Sequence, residues 1–170
     1  LGTMAEVMSP NQEGHPGYEG HLNTRVVTVA EVLSTAGYHT YMAGKWHLGA
    51  KEPARYPHAR GFEETFAMLA GGASHWADNR ALIPGKASQY NRNGNIIQNL
   101  SPDFYSTKTY TDRRIGFIDE HKKDKKPFWG YLAYTVPHNP LHAPKTYIDQ
   151  YKGRYDDGWD MMRENRLKKL

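Results

Sequence analysis

Residues Thr28 to Gly49 read TVAEVLSTAGYHTYMAGKWHLG, and this stretch decides the fold class. Thr28 and Glu31 have the spacing of a capping box: the Thr28 hydroxyl accepts from the Glu31 amide, and the Glu31 carboxylate accepts from the Thr28 amide. Val29, Val32, Leu33 and Ala36 then fall on one helical face, and Gly37 is a natural terminator. Tyr38 to Trp46 is a short apolar and aromatic run that reads as a buried strand. Helix, tight turn and strand make half of an α/β unit.

On the amino-terminal side, Leu1 to Asn23 is rich in Gly, Pro, Asn and His without periodicity, and reads as an irregular lead-in. On the carboxy-terminal side, Leu48 to Gly72 begins as a loop broken by Pro53, Pro57 and Gly61, with a short helix expected over Phe62 to Leu69. Asn93-Gly94 predicts a small hairpin over Gln89 to Gln98. Tyr105 to His121 reads as a helix with Ile115, Phe117, Ile118 and His121 toward the core. Lys122 to Lys126 then connects to a second buried strand, Phe128 to Thr135. Pro137, Pro140 and Pro144 keep the following segment irregular, and short helices are expected at Tyr147 to Tyr151 and Trp159 to Leu167. The order predicts an α/β fold: a partial, parallel-type sheet with flanking helices. Two strong strands are too few for a stable sheet, so the chain reads as a single segment, residues 1–170, of a larger α/β body. Open sheet edges also predict self-association.

Composition narrows the function. The chain has 170 residues, 22 basic against 18 acidic, for a net charge of +4. That mild bias is compatible with an anionic ligand. The densest basic run, Lys122 to Lys126, is short and reads as a solvated loop, so nucleic acid is not expected as a partner. No apolar run approaches the roughly 20 residues of a membrane span, so no membrane partner is expected either. There is no cysteine, which excludes disulfides and thiolate metal sites. The chain does not begin with Met and shows no signal peptide at its start, which reads as an excised segment.

Three constellations could carry chemistry. Gly44-Lys45-Trp46-His47-Leu48-Gly49 lies at the carboxyl end of the first strand, where open α/β sheets bind ligands. Strand alternation puts Lys45 and His47 on one face and Trp46 on the other. The pair is either an oxyanion grip or a snorkelling lysine beside a satisfied histidine; spacing alone leaves both open. Pro137-His138-Asn139-Pro140-Leu141-His142-Ala143-Pro144 follows the second strand, so two strand ends converge if the strands are parallel. There His138 is a candidate acid or oxyanion donor, or else merely braces the loop. Zinc between His138 and His142 is rejected, because Pro140 denies them a shared helical face. In Ser74-His75-Trp76 the Ser74 hydroxyl could bond a substrate oxygen. Asp78-Asn79 reads as surface. The chain has no glycine-rich phosphate loop, no G-x-S-x-G elbow and no carboxylate pair at a strand end.

Taken together, Thr28 to Gly49, Ala59 to Phe66 (ARGFEETF) and Lys125 to Leu167 resemble the sulfatase family of the alkaline-phosphatase-like superfamily; GKWHLG and PHNPLHAP in this order carry the likeness. The resemblance implies a segment of a larger α/β sandwich. It implies hydrolysis of sulfate monoesters, small-molecule or saccharide, by a formylglycine made from Cys or Ser in a C/S-x-P-x-R motif, with Ca2+ or Mg2+ polarising the sulfate. By motif position, Lys45 corresponds to the lysine on the sulfate and leaving-group oxygens. His47 corresponds to the histidine at the formylglycine hydroxyl, and His138 to the one that bonds sulfate and protonates the leaving alcohol. Ser74 falls near a substrate-touching position, whereas His142 matches none. The chain holds neither the nucleophile motif nor the family's metal ligands, so the resemblance places it in the middle of the domain and predicts inactivity in isolation. Family habit implies a periplasmic, lysosomal or secreted setting. A phosphate or phosphonate ester hydrolase of the same superfamily is the alternative. So is a non-catalytic interaction segment, for which Trp159 to Arg166 offers an apolar side; the plainer expectation is that this helix packs on its own domain.

Overall fold

A computed structural model describes residues 11, 12 and 14–170 of the chain. Part of the expected irregular lead-in, residues 1–10 and 13, lies outside the described residues; the rest has no regular element before α1 (Val29–Thr35). The Thr28 capping box forms as read: Glu31 N donates to Thr28 Oγ1 at 3.0 Å, and Thr28 N donates to Glu31 Oε2 at 2.6 Å. A buried arginine reinforces it. Arg60, 4% exposed, donates to Glu31 and to the Leu22, Asn23 and Val26 carbonyls. One guanidinium thereby joins the lead-in, the helix cap and the turn before the second strand. Its buried charge is tolerated because it is both paired and hydrogen-bonded.

Five strands form one sheet in the order β4-β3-β2-β1-β5. They are β1 (His39–Lys45), β2 (Glu64–Met68), β3 (Tyr90–Arg92), β4 (Asn95–Ile97) and β5 (Phe128–Ala133). β1 pairs in parallel with both β2 and β5, whereas β2-β3 and β3-β4 are antiparallel. The parallel expectation therefore holds for the centre, and the Asn93-Gly94 hairpin adds the antiparallel edge. Gly44 makes the β1-β5 approach feasible: its φ is 123°, and a Cβ there would lie 2.0 Å from the Ala133 carbonyl oxygen.

Period-2 alternation divides the core between the two sheet faces. Tyr41, Ala43, Phe66, Met68 and Tyr90 pack with Phe104, Tyr110 and Phe117. Met42, Trp46, Ala67 and Leu69 pack with Ala30, Tyr56 and Phe62 on the other side. The second helix, α2 (Ser106–His121), covers the first face with Ser106, Tyr110 and Phe117.

Four expectations are corrected. Phe62 to Leu69 is not a helix: Glu64 to Met68 is β2, between β1 and β3. A short apolar run fits either a strand or a buried helix, and here the sheet's need for a pairing partner decides. Ile115 is 54% exposed; five residues beyond Tyr110 it points about 140° away from the buried face. Phe128 to Thr135 is not a fully buried strand: β5 ends at Ala133, forms the outer strand, and is exposed or half-buried along its length. Finally, α4 (Gly158–Lys169) does not pack on the domain: Trp159 is 79% exposed, and no residue of the helix is buried. Between β5 and α4, the expected Tyr147 to Tyr151 helix is split into α3 (Lys145–Ile148) and a 3-10 turn, Asp149–Tyr151.

The cap gives the first prediction. Burial would raise the Glu31 carboxyl, but its hydrogen bonds from Thr28 and Arg60 outweigh that and hold it below the ordinary carboxylate range. Its stabilisation is therefore complete at neutral pH and lost as pH falls through the lowered value. Thr28→Ala should cost about 1 kcal/mol in urea unfolding at neutral pH, and less at a pH low enough to protonate Glu31.

Candidate active site at the carboxyl ends of the parallel strands

Lys45 is the last residue of β1 and is half-buried. Among the described residues its ammonium has no ion pair or hydrogen-bond partner. Trp46 turns into the core, where Nε1 donates to the Arg55 carbonyl at 2.9 Å. The amides of Trp46 and His47 donate to the Met68 and Leu69 carbonyls, which carries the β1-β2 pairing past the strand end. Residue 47 then adopts φ 55°. Trp46 is buried while Lys45 and His47 are half-buried, but the direction of His47 is set by a left-handed turn rather than by the expected strand alternation. Positive φ at a non-glycine residue is uncommon, and such residues concentrate at functional sites.

The segment after β2 supplies the floor. A Cβ at Gly71 would lie 2.6 Å from His47 Cε1, and one at Gly72 would lie 3.1 Å from His138 Cε1. Both imidazoles therefore rest on the backbone of one glycine pair, although they come from the ends of β1 and β5. His138 is exposed, and its Nδ1 is 2.7 Å from the Asn139 carbonyl oxygen. A carbonyl only accepts, so Nδ1 carries the hydrogen and Nε2 is the nitrogen left for a ligand.

Ser74 is 4% exposed. Its Oγ accepts from the Trp76 amide, and Ser74 and Arg80 together hold Asp78 below the usual carboxylate range. Ser74, Arg80, Ala81, Leu82, Asn139, Pro140 and His142 line a cleft of about 380 Å³ beside His138. His142 is a brace: its ring lies 6.1 Å from Trp76 and 6.0 Å from His75, centroid to centroid. His75 is the anchor below. It is 1% exposed, and its Nδ1 lies 2.6 Å from Ser106 Oγ at the start of α2. Burial holds its imidazole below the ordinary range, and His142 and His138 push the same way. The sequence reading missed Gly71-Gly72 and His75. A glycine pair just beyond a strand signals close backbone approach, whereas nothing in the sequence distinguishes a buried histidine from an exposed one.

At this edge the donors are an ammonium, imidazoles and a hydroxyl. Its carboxylate, Asp78, is engaged by Arg80 and Ser74. The His/Asp/Glu groups that converge among the described residues lie elsewhere. These residues do not fit the oxygen cage of Ca2+ or Mg2+; they fit an oxyanion.

The class is that of an α/β protein whose parallel strands carry an ammonium, imidazoles and a hydroxyl to one carboxyl edge. The sulfatase family model matches residues 3–170, and the chain belongs to the sulfatase family. It is 44% identical to an uncharacterised sulfatase of Schizosaccharomyces pombe, over 98% of this chain and 31% of that protein. It is 40% identical to an arylsulfatase of Klebsiella aerogenes, over 92% of this chain and 34% of that one. Among solved structures, Ps i-CgsB in complex with a neocarrahexaose superposes with a TM-score of 0.62 at 28% identity, covering 72% of this chain and 29% of that one. BT4656, in complex with its substrate D-glucosamine-2-N,6-O-disulfate, shares the fold at a TM-score of 0.60 and 22% identity, covering 79% of this chain and 24% of that one. The chain thus spans about a third of the length of the curated relatives it matches. Sulfatases are in general metal-dependent; which ion serves here belongs to the proposal below.

Two predictions follow from the site's supports. Gly71→Ala should displace His47, seen as a shifted His47 resonance in NMR, while leaving the free energy of urea unfolding within about 1 kcal/mol of wild type. For His75 the unfolded chain takes up a proton that the native state resists, so stability should fall as pH drops below about 6.5. The loss of urea midpoint between about pH 7.5 and 5.5 should be smaller in His75→Gln.

Proposed function

We propose that this segment supplies the sulfate-binding and leaving-group half of a sulfuric ester hydrolase, with Lys45, His47 and His138 as catalytic residues and Ser74 as a substrate-binding residue. One observation carries the reading: the ends of β1 and β5 run together, and the His47 and His138 rings share the Gly71-Gly72 floor. The Lys45 ammonium, lacking a counter-ion among the described residues, neutralises charge on the sulfuryl oxygens and on the bridging oxygen as the S–O bond lengthens. A proton on His138 Nε2 would pass to that oxygen, so the alcohol would depart neutral. His47 takes a proton from the hydrated nucleophile's remaining hydroxyl and so drives release of sulfate. The nucleophile itself, a formylglycine in this family reading, is not encoded here: the chain has no cysteine and no Ser-x-Pro-x-Arg. The metal is proposed to be Ca2+ or Mg2+, and no step assigned to these residues passes through it.

The proposed substrate is a small-molecule or saccharide sulfate ester, in keeping with the Klebsiella arylsulfatase and the neocarrahexaose ligand of Ps i-CgsB. The cleft beside His138 would take the alcohol half. The test is the full-length protein carrying this segment. Lys45→Ala and His138→Ala should each lower kcat/KM by roughly 10²–10⁴. His138→Ala should lose more on a saccharide sulfate, whose alkoxide needs a proton, than on 4-nitrophenyl sulfate, whose phenolate does not. Equal losses on both substrates would remove the acid role, and faster turnover of a phosphate monoester would move the assignment to phosphoryl chemistry. The 170-residue chain alone should turn over neither ester. Its outer β5 edge is proposed to drive self-association, read as a light-scattering mass above that of one chain.

A further inference from the structure

We infer that the alcohol half of the substrate carries a second oxyanion, a carboxylate or a further sulfate, and that Arg80 recognises it. The inference rests on the sulfatase reading of the β1-β5 edge. It concerns the cleft beside His138 rather than the groups at the scissile ester.

Arg80 owes its place to an ordered loop. Between β2 and β3 the chain doubles back: Ala73 bridges to Ala81 and Arg80 to Ala87, both antiparallel. Asn79, at φ 56°, makes the bend, a conformation that asparagine tolerates better than most residues. The Ser74 amide donates to the Arg80 carbonyl at 2.8 Å, and the Ser88 amide to the Asn79 carbonyl at 2.8 Å. A side chain carried on a backbone fixed in this way has less freedom to lose when it binds. The guanidinium is held in turn by Asp78, which accepts from Nε at 2.6 Å. That bond engages Nε alone. Nη1 and Nη2 have no partner among the described residues. These two nitrogens form the end-on fork that grips a carboxylate or sulfate through paired hydrogen bonds.

The rest of the cleft suits a sugar ring. Among the described residues Arg80 is the one formally charged side chain in its lining, and no carboxylate lines it. Leu82 and Pro140 offer apolar surface to a ring face, and Asn139 offers a side-chain amide with no partner among the described residues. The volume, about 380 Å³, lies in the usual range of small-ligand pockets. A Cβ on Gly72 would lie 2.8 Å from Leu82 Cδ1 and 3.1 Å from His138 Cε1. Leu82 and His138 therefore flank one point, so a sugar with its bridging oxygen at His138 would extend past Leu82 toward Arg80.

The test uses the full-length protein carrying this segment and its hydrolysis of 4-nitrophenyl sulfate. Galactose 6-sulfate, galactose 2,6-disulfate and glucuronic acid 2-sulfate serve as competitors, so inhibition is read whichever ester is cleaved. At least one doubly charged sugar should inhibit about tenfold more tightly than galactose 6-sulfate. An advantage confined to the disulfate or to the uronate identifies the second oxyanion as sulfate or carboxylate. The Arg80 side chain is 77% exposed, so Arg80→Gln spares the fold, and it should abolish the advantage. Lys86→Gln removes the same charge from the same loop, outside the cleft lining, and should leave the advantage intact. Equal inhibition by all three sugars, or an advantage that survives Arg80→Gln, overturns the role of Arg80 while the sulfatase reading stands. A wild type that hydrolyses no sulfate ester removes that reading and this inference with it.

Discussion

The candidate site depends on β1 being hydrogen-bonded on both sides by strands that run with it. A parallel neighbour delivers its carboxyl end to the same edge, so each pairing adds a loop to one place. β2 delivers the glycine pair and the Ser74-His75 segment, and β5 delivers the His138 loop. Had β2 or β5 run antiparallel, the same residues would be separated by the length of the sheet. Gly44 is part of the same constraint, since any side chain there would meet the Ala133 carbonyl and push β5 away. With β5 displaced, His138 would leave the neighbourhood of His47.

The supports of the site differ from the site in kind. Lys45, His47 and His138 are half-buried or exposed and reach toward solvent, whereas the groups that hold their loops are buried and hydrogen-bonded. Arg60 ties the lead-in to the helix cap. His75 ties the loop after β2 to the start of α2, where Ser106 meets its ring. The Tyr90 and Tyr110 hydroxyls, 3.1 Å apart, close the core between the hairpin and that helix. Each is a polar group placed inside with a partner, which is the condition on which burial is tolerated. Such anchors fix loops that hydrophobic packing alone would leave free to slide.

How much of this was legible in the sequence follows from the range of the forces involved. Local signals read true: the Thr28-Glu31 box, the Asn93-Gly94 turn and the prolines from Pro137 to Pro144 each act within a few residues. The strand ending at Lys45 and the helix over Ser106 to His121 were also readable, because periodicity is a local pattern. The failures lie where long-range pairing decides. Glu64 to Met68 has no strand signal that separates it from a helix until β1 and β3 flank it. The exposure of β5 and of α4 is set by what lies against them, which no local pattern records. At the candidate site, motif reading proposed Lys45, His47, Ser74 and His138, while the glycine floor beneath the two histidines needed coordinates. The start of β1 shows the same limit: His39 meets Glu63 and Asp124, and Asp124 meets His121, yet nothing in their spacing marks them as neighbours.

The bond from His138 Nδ1 to the neighbouring carbonyl has a consequence for how protons travel. An imidazole with both nitrogens free can take a proton on one side and release it on the other, serving as a wire between two regions. His138 has one nitrogen committed, so in the proposed role giving and reloading would pass through the same atom. It would serve as a reservoir rather than a relay. Reloading would then wait until whatever sat at Nε2 had gone, making product departure and reprotonation consecutive events.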